Sequence, residues 1–161
     1  ADYTATLGAC LSGDCSLLAL AAMALPVVPG AIGRNTDEVF AGVRQASAYL
    51  KTEGVPRSAR KQILESFDAE TIHVRTAGTE EFGVRYYDNA NAMERGRYLF
   101  ETFPASRDSL AVMPEWNSMT YFKQWQIRPG TTVIEGRAAS QGRLLGGQIQ
   151  KFILYLKDLL P

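Results

Sequence analysis

Residues 121–156 read YFKQWQIRPGTTVIEGRAASQGRLLGGQIQKFILYL, and this stretch decides the fold class. With Met119 and Thr120 just before it, it spans three β-type runs: MTYFKQWQI from Met119 to Ile127, TTVIE from Thr131 to Glu135, and IQKFILYL from Ile149 to Leu156. Gly130, Gly136, Gly142, Gly146 and Gly147 punctuate them, as glycines do where strands are separated by turns. Upstream, TIHVRT (71–76) and VRYY (84–87) predict two more strands around the turn-like AGTEEFG. DNANAMERGR (88–97) predicts one helix capped at Asp88 or Asn89, and the chain beyond Pro104 reads as loop.

The first third is helical in pattern. Leu17 to Leu25 is an Ala/Leu-rich run ending at Pro26, followed by the connector PVVPGAIG. Asn35 or Thr36 is expected to cap a second helix, with Asp37 and Glu38 in its first turn. Val39, Phe40, Val43, Ala46, Tyr49 and Leu50 recur along it at helical spacing, and Gly54 stops it. Pro56 starts a third helix with Ile63, Leu64 and Phe67 on its apolar side. Helices first and strands afterwards predict an α+β fold with a mostly antiparallel sheet.

The 161 residues suit one domain of ordinary globular composition, 46% hydrophobic and 21% charged. Seventeen basic residues balance seventeen acidic ones, so the chain has no overall electrostatic footprint for nucleic acid or an anionic membrane. Arg57, Arg60 and Lys61 read as the solvated face of an amphipathic helix. The apolar stretch from Leu17 to Pro29 is broken at Pro26 and falls short of the ~20 residues a bilayer span needs. Nothing basic precedes it, so it does not read as a signal peptide, and no stable membrane insertion is expected. It reads as a buried helix, or as a segment that assists passage during export or entry. Cys10 and Cys15, in CLSGDC, are close enough for a disulfide and equally compatible with free thiols.

The single histidine, His73, excludes two-histidine ribonuclease chemistry, H-E-x-x-H zinc sites and paired-histidine metal centres. Two cysteines cannot complete a zinc site, so no metal is expected. Neither a G-x-S-x-G elbow nor a Walker loop is present, and GRLLGG (142–147) precedes a strand, unlike a Rossmann fingerprint. What remains is polar groups beside glycines. Gln148 and Gln150 point to the same side of one strand, and an amide there can both donate to and accept from sugar hydroxyls. From the residues alone they are also two solvent-facing glutamines after a tight loop. His73 and Arg75 alternate onto one face of IHVRT, where Arg75 could grip a pyrophosphate bidentately. A lone strand histidine is more often packed or exposed than a ligand. Tyr98 and Phe100 in GRYLFETFP serve equally as a stacking wall or as core.

The run Gln124–Gln150 resembles the end of the NAD-consuming toxin domains related to tuberculosis necrotizing toxin, and more broadly the ADP-ribosyltransferase-like fold. The resemblance lies in a V-x-x-G-x-A-A element, a G-G turn and a glutamine on the next strand: Val133, Gly136, Ala138, Ala139, Gly146, Gly147 and Gln150. It implies a split, mostly antiparallel sheet and NAD as substrate, with no bound cofactor. Gln150 and Arg75 would be catalytic, and His73, Thr76, Arg85, Tyr98, Phe100 and Gln148 would contact substrate. Transferases of that fold commonly carry Q-x-E or E-x-E where this chain has Gln148-x-Gln150, which disfavours transfer to a protein side chain and favours NAD hydrolysis; an ADP-ribosyltransferase modifying a protein or RNA acceptor is the alternative. GACLSGDCSLLALAAMALPVVPG (8–30) is similar to segments preceding the toxin tips of bacterial polymorphic toxins of the Rhs and contact-dependent inhibition type. By that resemblance residues 1–34 form a hydrophobic pre-toxin segment and 35–161 the toxin domain, helical over 35–68 and NAD-binding over 69–161. A secreted or delivered effector acting in the target-cell cytoplasm, with a cognate immunity protein, is implied. Outside this class stand a metal-independent ribonuclease using His73, Arg75 and Arg85, and a non-catalytic interaction domain.

Overall fold

The computed structural model describes residues 40–101 and 106–161. The pre-toxin segment, the Cys10 and Cys15 pair and the cap expected at Asn35 or Thr36 lie outside them. The chain forms two compact units that divide between His73 and Val74.

In the first unit, α1 (Ala41–Thr52) buries Val43, Ala46 and Leu50, the i, i+3, i+7 spacing of one helical face. α2 (Arg57–Glu65) begins directly after Pro56 and buries Ile63 and Leu64. Phe67 and Ile72 are buried further along, and Arg60 donates from Nη1 to the Val55 carbonyl at 2.8 Å. Two helices form as expected, but the first begins at Ala41 after Phe40, later than a cap at Asn35 or Thr36 implies. Phe67 lies beyond the second, and Arg60, expected on a solvated face, is buried and bonded to Val55.

The second unit is built on strands β1 (His73–Thr76), β2 (Phe82–Tyr87), β3 (Tyr98–Phe100), β4 (Tyr121–Ile127), β5 (Thr132–Arg137), β6 (Ile149–Phe152) and β7 (Leu159–Leu160). The short helix α3 (Arg107–Leu110) lies between β3 and β4. The strands make one sheet in the order β1-β5-β6-β3-β2-β4-β7, antiparallel at β5–β6, β6–β3, β3–β2, β2–β4 and β4–β7. β2 and β4 pair over six rungs, from Phe82↔Gln126 to Tyr87↔Tyr121, whereas β2 meets β3 in register only at Val84↔Phe100. The sheet therefore divides into two leaves, β1-β5-β6-β3 and β2-β4-β7, joined in register at one rung. One apolar cluster draws on both leaves: Leu99, Val133 and Ile153 from the first, Trp125, Ile127 and Leu159 from the second. Gly83 makes the join possible, since a Cβ there would stand 2.6 Å from Leu99 Cβ. This is the α+β, split-sheet arrangement expected from the sequence.

The helix expected over 88–97 does not form. Asp88 Oδ1 instead accepts the backbone N–H groups of Ala90, Asn91 and Ala92, each at 2.9 Å, and Asn89 takes a left-handed φ of 65°. A side-chain acceptor at the start of a turn can cap a helix or capture the turn, and here it captures the turn. Asp88 Oδ2 also takes Ser118 N–H at 2.8 Å, tying this loop to the one before β4. The irregular stretch ends at β3, a strand that the alternating pattern was too short to reveal.

Candidate functional site

Gln150, Lys151 and Phe152 of β6 each have a register partner on both sides. Gln150 lies opposite Gly136 of β5 and Phe100 of β3, and Lys151 lies opposite Glu135 and Leu99. Alternation then sorts the side chains. Gly136, Gln150, Phe152, Tyr98 and Phe100 share one face, and Glu135, Lys151 and Leu99 share the other.

On the first face Gln150 is only 4% exposed. Its register partner on the β5 flank is Gly136, which carries no side chain, and on the β3 flank Phe100. Phe100 packs with Tyr86 at 6.4 Å between centroids and joins a cluster with Leu110, while Tyr98 meets Phe152 edge-on at 5.2 Å. Phe100 therefore serves the core of this face while standing opposite Gln150, and the half-buried Tyr98 packs on Phe152, two residues along the strand.

The glycine turn leading into β6 is held from two directions. Gly146 N–H donates to Asp108 O at 2.8 Å, Gln148 N–H to Ser109 O at 3.1 Å, and Leu145 N–H to the Asp108 carboxylate at 2.9 Å. On the other side Gly147 N–H reaches Ala138 O at 2.9 Å and Ala138 N–H reaches Gln148 O at 2.8 Å. Gly146 has a φ of +73° and a Cβ there would fall 2.4 Å from Ala138 O, so no other residue fits without moving backbone. The G-G pair in the sequence thus marks a clamped entry to the strand of Gln148 and Gln150.

Arg75 is not brought to this face. Its guanidinium donates to Glu135 and Glu81, and Lys151 Nζ completes the group at 2.9 Å from Glu81 Oε1 and 3.0 Å from Phe82 O. Because Glu135 and Lys151 are one rung from Gly136 and Gln150, this cluster lies behind the amide, on the opposite side of the sheet. Hydrogen bonding by Arg75 holds the Glu81 carboxyl down to about 2, with Lys151 adding to it, and Glu81 and Glu135 raise the Arg75 guanidinium above its ordinary value. Two cations and two carboxylates sum to zero, which leaves this guanidinium little excess charge to offer a pyrophosphate.

Arg85 donates from Nε to Met93 O at 3.1 Å and from Nη1 to Tyr98 O at 3.2 Å, so it fastens the loop before β3; burial lowers its pKa. His73 is exposed at the start of β1, its ring Nδ1 3.1 Å from the Thr71 carbonyl, and Thr76 is exposed at the strand's end. The sequence reading missed Glu81, Glu135, Lys151 and Asp108. A detectable signal existed for two of them: Glu135 in TTVIEG and Lys151 in IQKFIL are single charges inside apolar strands, which must be paired when buried. Among the described residues no group of three or more His, Cys, Asp or Glu side chains is placed to hold a metal ion, and no helix is long and apolar enough to cross a membrane.

No protein-family model matches the chain, and no curated protein sequence matches it. Solved structures do. Tne2 in complex with Tni2 aligns over 55% of this chain and 84% of its own at 11% identity and a TM-score of 0.47. Tuberculosis necrotizing toxin complexed with its immunity factor aligns over 58% of this chain and 50% of its own, at 18% identity and a TM-score of 0.42. Tse6 in complex with Tsi6 aligns over 76% of this chain and 97% of its own, with a TM-score of 0.61 at 16% identity. At that coverage and score, the described chain has the fold of Tse6.

Proposed function

We propose that this chain is a toxin domain that hydrolyses the nicotinamide–ribose bond of NAD. The observation that carries the reading is the placement of Gln150, a buried amide in register between Gly136 and Phe100, on the strand that the clamped Gly146–Gly147 turn feeds. Gly136, Gly146, Gly147 and Gln150 are positions on which the sequence resembles NAD-consuming toxins, and the chain that carries them has the fold of Tse6.

In this reaction the bond from ribose C1′ to the nicotinamide nitrogen breaks, and its electron pair leaves with the neutral nicotinamide. Water adds to the oxocarbenium-like C1′ and releases its proton to solvent. Gln150 orients the ribose hydroxyls and the water, since its amide offers two donors and an acceptor oxygen. Phe100 and Tyr98 bound the nicotinamide side. Preorganised groups of this kind stabilise a developing cation without a metal. Arg75, spoken for by two carboxylates, supports the strands instead of the phosphates. The domain acts as a delivered effector in the target-cell cytoplasm, and a dedicated protein partner restrains it beforehand; the complex of Tse6 with Tsi6 supports such a partner.

The test is incubation of purified protein with NAD, following nicotinamide and ADP-ribose, with Gln150→Ala as control. Equal release of both, lost in the variant, is expected. Nicotinamide without matching ADP-ribose, and with mass added to an acceptor, would redirect the reading to transfer. If neither product forms even with cell extract present, the NAD reading is wrong.

A further inference from the structure

Glu81 belongs to neither β1 nor β2, yet it touches both leaves of the sheet. Its carbonyl accepts Ile127 N–H at 2.8 Å, which fixes it to the β2-β4-β7 leaf. Its carboxylate reaches into the other leaf, taking Arg75 Nη1 at 3.2 Å from β1 and Lys151 Nζ at 2.9 Å from β6. Lys151 also donates to Phe82 O at 3.0 Å, a second link in the same place. We propose that Glu81 is a positioning residue for Gln150, a clasp between the leaves that fixes β6 in depth and twist.

Two features favour such a clasp, beside the shared apolar cluster and the Arg85–Tyr98 bond. β2 and β3 share one register rung, Val84↔Phe100, so backbone pairing alone leaves the leaves free to pivot about it. Lys151 is the residue next to Gln150, and any slide of its tether moves the amide. Charge-assisted bonds to a carboxylate set direction, while a buried ion cluster adds little net stability over an apolar filling of equal volume. The cluster's contribution is therefore geometric. The inference rests on Gln150 being the group that meets substrate.

The full chain carrying Glu81→Gln tests it, through steady-state NAD hydrolysis and amide hydrogen exchange over residues 149–152. The expected result is a kcat lower by about a hundredfold with KM changed less than about twofold, because a displacement of ~1 Å costs about that much in rate. Faster exchange in 149–152 accompanies it. Glu81→Asp, which keeps the charge on a shorter stem, recovers part of kcat. If the Gln variant does not fold, Glu81→Asp is judged against wild type by the same criteria. Wild-type kcat and KM in a folded variant overturn the proposal, as does a KM effect with kcat unchanged. Should wild type itself turn over no NAD, the functional reading has failed and exchange decides alone: the clasp stands on loss of protection at 149–152 and falls if protection is unaltered.

Discussion

Gly136↔Gln150 and Glu135↔Lys151 are neighbouring rungs of one β5–β6 ladder, yet they face opposite sides of the sheet. Both rungs are buried and polar. On the first, a neutral amide stands on a strand between a glycine and a phenylalanine. On the second, a lysine and a glutamate join Arg75 and Glu81 in a cluster whose charges cancel. Buried charge must be neutralised within the fold, because an unpaired ion is far costlier than an unpaired amide. A neutral amide has several bonding positions, so it can serve the fold and still meet a ligand. Burial therefore does not mark a functional group; the charge and partners of the group do.

Substituting one residue on each rung should separate the two roles. Lys151→Ala leaves Glu81 facing a single shared guanidinium and should cost about 3–5 kcal/mol of stability by urea unfolding, the range for breaking a buried pair. Gln150→Ala should lower NAD turnover by about a hundred- to a thousandfold, as loss of a preorganised polar group does, while costing less stability than the lysine change. If Gln150→Ala is the more destabilised of the two and keeps its turnover, the two rungs have been assigned the wrong way round.

How much of this was legible in the sequence follows the same division. The strands around Gln124–Gln150 stood out because glycines bracket β-branched and aromatic runs, and Gln148 and Gln150 were visible as amides after a G-G pair. The face to which Arg75 turns was not legible. Strand alternation says that His73 and Arg75 share a side, but which side depends on Glu135 and Glu81, 60 and 6 residues away in the chain. Nor could spacing tell whether Asp88 would cap a helix or close a turn. That depends on Ser118, 30 residues downstream, which takes the other carboxylate oxygen. Local pattern reveals elements, whereas charged side chains choose partners by tertiary proximity.

Acid distinguishes the charged rung from the neutral one. The Glu81 carboxyl titrates at about 2 in the folded chain against 4.5 as its ordinary value. The folded value is the lower, so this group's stabilisation is complete above the unfolded value and is lost as pH falls through the folded one. At ~1.4 kcal/mol per pH unit the loss is about 3 kcal/mol, spread between about pH 5 and pH 2. Asp88, held low chiefly by the N–H groups of Ala92 and Ser118, acts in the same direction. Urea unfolding of wild type and Glu81→Gln over this range isolates Glu81: the variant should show a shallower decline, and parallel curves would remove Glu81 from the acid response.

The smallest effect belongs to the clamp on the glycine turn, and it concerns the face of Gln150 alone. Asp108→Ala removes the acceptor of Leu145 N–H, a 2.9 Å bond at an exposed side chain, but leaves the Asp108 and Ser109 carbonyls that hold Gly146 and Gln148. One lost hydrogen bond near solvent should cost about 0.5–1.5 kcal/mol, because water replaces the missing partner. Its influence on catalysis should be correspondingly slight, since the backbone bonds on both sides of Gly147 persist. A rate loss approaching that of Gln150→Ala would mean that the carboxylate itself meets substrate and that the site extends from β6 onto α3. A loss confined to stability would keep the reacting groups on the sheet, with the turn serving to present them.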